Sequence, residues 1–406
     1  MISLETPRKF APLLAQAHQV ASEVFRPISR KYDLAEHEYP KELDMLASVI
    51  DGMNAGADVA STGGAGATGV RREHRDADGA NRNGSNLATV LSVMELCWGD
   101  VGLLLSMPRQ GLGNAAIASV ANEEQLARFE GRWAAMAITE PEAGSDSAAI
   151  RTTAVLDGDE YVLNGEKIYV TAGERADLVV VWATLDRSKG RAAIKSFVVE
   201  RENPGLKLDR LEHKLGIRAS DTAAFRLEDC RVPKEDMLGS ARIDVKQGFG
   251  GAMQTFDNTR PLVAAMAVGL TRACLEETAA QLERAGVRLE HAPPAHAQSA
   301  AAARLQAMEA DYEAARLLTL QAAWMADNSR PNSLHASMAK AKAGRTCVEV
   351  ALECVELCGS VGYGESELLE KWARDAKILD IFEGTQQIQL LIVARQLLGK
   401  TSAELR

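Results

Sequence analysis

The sequence predicts an α+β protein in which helices, a β region and helices again succeed one another along 406 residues. Three observations carry that prediction. Apolar residues recur at helical spacing towards both ends, the centre is a block of short β-rich runs bounded by Gly, Asn, Asp and Pro, and strands do not alternate with helices. At about 150 residues per unit the length suits two or three packed domains. They are expected as an N-terminal helical domain over 1–132, a middle β domain over 133–240 and a C-terminal helical domain over 241–406.

Residues 1–50 read as helix: "FAPLLAQAHQVASEVFRPISRKY" places apolar positions three and four apart, and "PKELDMLASVIDGM" continues in that style. From 54 to 86 the composition turns to Gly, Asp, Asn and Arg, which predicts a long loop. Within it "GAGATG" (64–69) matches the spacing of a phosphate-cradling turn, but the preceding strand and following helix that this chemistry requires are missing, so the loop reading is kept. Helical periodicity resumes in "LATVLSVMELCWGDVGLLLSM" and "NAAIASVANEEQLARF". The runs "YVLNGEKIYVTAG", "ADLVVVWATLD", "AIKSFVVERENPG" and "AAFRLEDCRVP" then predict strands. Beyond residue 248, helices are expected over 253–285, 300–327, 333–358 and 385–399.

Composition excludes some functions. A net charge of −10 argues against nucleic acid or an anionic membrane surface as the main partner. No run approaches ~18 uncharged apolar residues, so no membrane span is expected. Six cysteines without framework spacing, and no signal-peptide pattern in "MISLETPRKF", make the cytoplasm the expected location. Cys354 and Cys358 lie one helical turn apart, yet no histidine with ligand spacing accompanies them; they read as core thiols and no metal site is assigned.

Three stretches can carry chemistry. "AITEPEAGSDSAAIRTTA" offers the hydroxyls of Thr139 and Ser145 and a turn at Gly144, which can hold a phosphate or a ring edge but taken alone reads as an ordinary turn. In "GEKIYVTAG" strand alternation sets Tyr169 and Thr171 on one face, as a planar cofactor needs, although taken alone such a pair reads as plain packing. "ILDIFEGTQQIQLL" (378–391) puts one carboxylate, Glu383, in a largely apolar run, followed at once by the helix breaker Gly384. A lone Glu there reads as a solvated charge unless its surroundings say otherwise.

In chain order, "ITEPEAGSD" (138–146), "GEKIYVTAG" (165–173), "LGIRASDTAAFRLEDCRVPKEDMLG" (215–239), "FDNTRPLVAAMAVG" (256–269) and "RDAKILDIFEGTQQIQ" (374–389) resemble the acyl-CoA dehydrogenase family over nearly the whole chain, and most closely its medium- and short-chain members. The resemblance implies an acyl-CoA dehydrogenase-like fold with an N-terminal helical domain, a middle β-barrel-like domain and a C-terminal four-helix bundle. It further implies FAD as cofactor and oxidation of an acyl-CoA to the trans-2-enoyl-CoA, with electrons passed to an electron-transfer flavoprotein. By the same resemblance Glu383 is the catalytic base, and its own N–H steadies the thioester oxygen. Ile138 and Thr139 serve the flavin edge through backbone groups and the Thr139 hydroxyl, Ser145 reaches a phosphate, Tyr169 lies on the ring, and Thr171 and Thr385 face the flavin. Asp257 and Arg260 serve the substrate region, with Arg260 beside the base. Glu95, Met94 and residues 103–105 are expected to line the acyl pocket. Some relatives carry the base at the position of Thr259; a threonine there favours Glu383.

Two departures concern the half-site that family members offer to a neighbouring subunit's flavin. "ERAGVRLEHAPPAHAQSAAA" lacks the family's R-x-x-F-G, and "ELCGSVGY" has Glu356 and Ser360 where the family has Gln and Gly. A carboxylate near a pyrophosphate is repelled. The resemblance therefore leaves open a homo-oligomer or a hetero-oligomer with a homologous subunit, and, as other readings, a weakly or non-catalytic partner subunit or a flavin monooxygenase on the same fold.

Overall fold

The computed structural model of the chain describes residues 6–47, 82–108, 112–243, 250–401 and 404, and of residues 250–258 only the backbone. The "GAGATG" segment and the long loop up to residue 81 lie outside the described residues.

The N-terminal helices are α1 (Ala11–Val20) and α2 (Arg26–Leu34), joined by a π-helical turn over Ala21–Phe25. The wider turn ends two residues before Pro27, whose missing N–H would otherwise break the ladder. Next come α3 (Ser85–Gly99) and α4 (Val101–Ser106), divided by an extended Asp100 whose carboxylate accepts a 2.8 Å hydrogen bond from the Leu103 N–H and so caps α4. Then follow α5 (Leu112–Val120) and α6 (Glu123–Arg128), the latter started by a reciprocal capping box between Asn122 and Gln125.

The β region has seven strands: β1 (Ala134–Ala137), β2 (Thr153–Asp157), β3 (Glu160–Thr171), β4 (Leu178–Thr184), β5 (Ile194–Glu200), β6 (Leu206–Leu211) and β7 (Thr222–Pro233). They form one sheet in the order β1-β4-β2-β3-β7-β6, with β5 on the other side of β4. The barrel-like expectation takes the form of a curled sheet: Phe197 and Val199 of β5 share an apolar core with Leu206 of β6 and Phe225 of β7. A second core covers the outer face, where Ala116 and Ile117 of α5 meet Val180 and Trp182 of β4. Helix α5, which precedes the sheet in the chain, is thus packed on it.

The C-terminal region is α7 (Gly250–Arg284), α8 (Ala300–Asp327), α9 (Ser333–Tyr363), α10 (Leu369–Leu379) and α11 (Gln386–Leu398). The four long helices expected from periodicity are present; α10 is an addition. Helices from both ends of the chain share one core, with Phe25 and Val93 packed in the same cluster as Ala264, Val268, Ala339 and Trp372. At Gly269 of α7 a Cβ would lie 2.3 Å from the Met94 carbonyl of α3, so these two backbones touch. Buried under this core, Lys371 pairs with Asp100 and with Asp375 at 2.6 Å, while Ser29 also donates to Asp100 and the Ile217 N–H donates to Asp375. One ammonium thus joins groups from the N-terminal helices, the loop after β6 and α10.

Candidate active site

Glu383 stands at the corner between α10 and α11. Its backbone is left-handed at φ 58°, and Gly384 follows at φ 93°. The corner is tied from three directions. The Gln386 N–H donates to the Asp380 carbonyl at 3.1 Å, the Gln389 side chain donates to the carbonyls of Glu383 and Gly384 at 3.0 and 3.1 Å, and the Lys340 ammonium on α9 donates to the Gly384 carbonyl at 2.7 Å. A Cβ at Gly384 would fall 2.4 Å from Gln389 Nε2, so the breaker seen in the sequence is required by both conformation and space.

This corner aims the Glu383 carboxylate at α7, where the Thr259 hydroxyl donates to Oε2 at 2.7 Å. The residue as a whole is half-buried, yet its carboxyl group is packed about by protein. That burial pushes the carboxyl above its ordinary range, while the Thr259 hydrogen bond and the cations of Arg260 and Lys340 pull part of the way back. Lys340 is itself buried, which lowers its ammonium to about 8 against the opposing pull of Asp380 and Glu383. A carboxylate raised in this way, held by one neutral donor and faced by cations, is suited to act as a base.

The second group of residues lies on the sheet. Tyr169 sits in a bulge of β3, at φ 58° within the register shift between Lys167 and Val170, with its side chain 62% exposed. Val170 is buried and Thr171 half-buried, but Lys167, two residues before Tyr169, is wholly buried, so strict alternation breaks at the bulge and resumes after it. The loop before β2 is fastened to this strand. Lys167, wholly buried, donates to the Ile138 carbonyl at 3.1 Å and to Glu140 at 2.7 Å, and the Ile168 N–H donates to the Thr139 carbonyl at 2.9 Å. Glu140 also accepts from the N–H and hydroxyl of Thr152. The Ile138 and Thr139 carbonyls thus each accept one bond inside the protein; the Thr139 side chain is half-buried, and Ser145 is exposed beyond it.

Other expectations fall differently. Thr385 caps α11, accepting from the Ile388 N–H at 3.4 Å. Asp257 lies in α7 with its side chain outside the described residues. Arg260, buried in the next turn, is close enough to Glu383 to lower it, as expected. Glu95 is placed elsewhere. It makes a bidentate pair with Arg272 at 2.6 and 2.7 Å, receives His18 at 3.0 Å, and lines a cavity of about 110 Å³ with Leu14, Met94, Tyr312 and Arg316. Arg272 is thirteen residues beyond Thr259 on the same helix, or about 20 Å along its axis. Glu95 is ion-paired there, and Met94 lines the same cavity. Lys340 was not foreseen; the sequence signal is a lysine on the stripe Ala336, Ala343, Gly344, Cys347, which is otherwise apolar.

Residues 246–398 match the family model of the acyl-CoA dehydrogenase C-terminal domain, and residues 135–230 match that of its middle domain. The chain belongs to the acyl-CoA dehydrogenase family. Among family members, a short-chain specific acyl-CoA dehydrogenase of Clostridium acetobutylicum is 35% identical over 320 residues, 77% of this chain and 82% of that protein. The mitochondrial short-chain specific enzyme of Rattus norvegicus is 39% identical over 269 residues, 64% of this chain and 62% of the rat protein's length. The solved butyryl-CoA dehydrogenase of Megasphaera elsdenii superimposes with a TM-score of 0.80 at 30% identity, covering 98% of this chain and 100% of that one. Among the described residues no helix is long and apolar enough to cross a membrane.

Proposed function

We propose that the chain is an FAD-dependent acyl-CoA dehydrogenase that converts a saturated acyl-CoA thioester to the trans-2-enoyl-CoA. The observation that carries the reading is the Glu383 carboxylate, raised by burial and aimed at α7 by a left-handed corner. The sheet side fits the cofactor: a bulge holds the Tyr169 ring open, with the hydroxyls of Thr139, Ser145 and Thr171 on neighbouring segments. Bound FAD would supply the acceptor for the β-hydrogen, which leaves with its electron pair. Glu383 takes the α-proton, so that the pair of the α C–H bond becomes the new double bond. Arg260 and Lys340 keep the base ionised before transfer. Glu383 lies between helices, so its N–H is outside both helical ladders and can donate to the thioester oxygen as charge develops there.

Short acyl chains are the proposed substrates, on the strength of the relatives named short-chain specific. An electron-transfer flavoprotein is the proposed acceptor. For assembly, Glu356 is offset within its own chain: Arg304 donates to it at 3.0 Å and also to Glu353. That pairing favours copies of this chain as each other's neighbours over a second, homologous subunit. The test is anaerobic titration of the purified chain with butyryl-, octanoyl- and palmitoyl-CoA. Near-stoichiometric flavin, bleached fastest by the shortest substrate and not in Glu383→Gln, supports the reading. A flavin that no acyl-CoA reduces overturns it, and a chain that takes up no FAD until a second subunit is added overturns the self-assembly.

A further inference from the structure

We propose that Glu36, His37 and His213 form a binding site for one divalent transition-metal ion of the zinc class, at the seam between the N-terminal helices and the sheet. Glu36 and His37 follow α2, and His213 follows β6. One ligand atom from each lies within 4.8 Å of the other two. Glu36 Oε2 is 2.8 Å from His213 Nδ1, and the two imidazole rings are 4.9 Å apart.

His37 is the residue that needs explaining. It has a left-handed backbone at φ 74°, uncommon outside glycine, and both ring nitrogens are buried with no hydrogen-bond partner. Two imidazoles and a carboxylate are the donor set of a borderline-soft cation, and a metal ion gives a buried imidazole lone pair the partner it lacks. At metal–ligand distances of about 2.0–2.2 Å the donors of a tetrahedral site stand about 3.4 Å apart. The His213 side chain is 83% exposed and so has room to turn as the three donors draw in. Among charged neighbours, Glu174 favours a cation. Lys214 opposes it, although its ammonium is turned to the Ser220 carbonyl at 2.8 Å. Three protein ligands leave a fourth position for water. Glu36 also accepts from the Lys214 N–H, so the ion would fasten the end of α2 to the loop that runs on to Ile217.

The test uses the full-length holoprotein freed of metal by chelation, titrated with Zn²⁺ by calorimetry and assayed for bound zinc after dialysis. His37→Asn keeps a residue that tolerates the left-handed backbone, and His213→Asn changes an exposed side chain. The expected result is one Zn²⁺ per chain, with affinity at least tenfold weaker in either variant and a zinc-dependent rise in melting temperature that both variants lose. Zinc bound equally by wild type and both variants, or no saturable binding below millimolar zinc, overturns the proposal.

Discussion

At φ 58°, Glu383 pays a conformational cost that a residue in either flanking helix would not, and its carboxyl pays a second in burial. Both follow from its place between Lys340, Thr259 and Gln389. Replacing it with Gln is expected to lower kcat about 10²–10⁴-fold, with flavin content unchanged. The same change is expected to raise stability at neutral pH. A carboxyl whose folded pKa is raised contributes stability that is complete below its unfolded pKa and is lost as pH rises through the folded one. Comparing melting temperatures of the two proteins at pH 4 and pH 7 checks this, the gap opening only at the higher pH. Lys340→Met removes a cation that holds Glu383 down, so the acid limb of the kcat/KM profile should move to higher pH while Lys340→Arg leaves it in place. An unmoved limb in the Met variant would assign Lys340 to the fold alone. Glu383 and Gly384 were legible because a charge and a breaker interrupt an apolar run. Lys340 was not, because a lysine among alanines reads as a solvated face until its neighbours are seen to be buried. The partner of Glu95 was not legible, because its sequence position says nothing of Arg272, which meets it from another helix.

Periodicity located four of the five C-terminal helices and four of the seven strands, since each carries enough apolar residues to show its own spacing. α10 escaped: it is short, and Lys371 and Asp375 break its stripe because they are buried by pairing rather than by being apolar. β1, only four residues long and alanine-rich, carries no alternation at all. The bulge of β3 was equally hidden, being fixed by the Thr139 carbonyl from another loop. α3 and α7 touch backbone to backbone at Gly269. Gly269→Ala is expected to cost about 1–3 kcal/mol in urea unfolding by forcing the two helices apart. The acid limb of the activity profile should stay where it is, as Gly269 lies ten residues, about 15 Å, beyond Thr259 along α7.

For the molecule as a whole, Lys371 is the charge on which three regions converge. Burial works against its ammonium, but Asp100 and Asp375 outweigh that and keep it protonated. Lys371→Met leaves two carboxylates buried without their cation and is expected to cost about 3–5 kcal/mol by denaturant unfolding; a loss below 1 kcal/mol would show the junction to be dispensable. The order of helices, sheet and helices was legible in the sequence, whereas the sharing of one core by the two helical ends was not, since nothing in either segment names its partner. That sharing has a consequence during synthesis. Residues up to 106 leave the ribosome with an apolar face and the Asp100 carboxylate prepared for a lysine more than 250 positions away, so the sheet can close with α5 on its face while α1 to α4 wait. The β region is in effect an insertion within a single helical folding unit, and that unit is complete only after α10 has emerged.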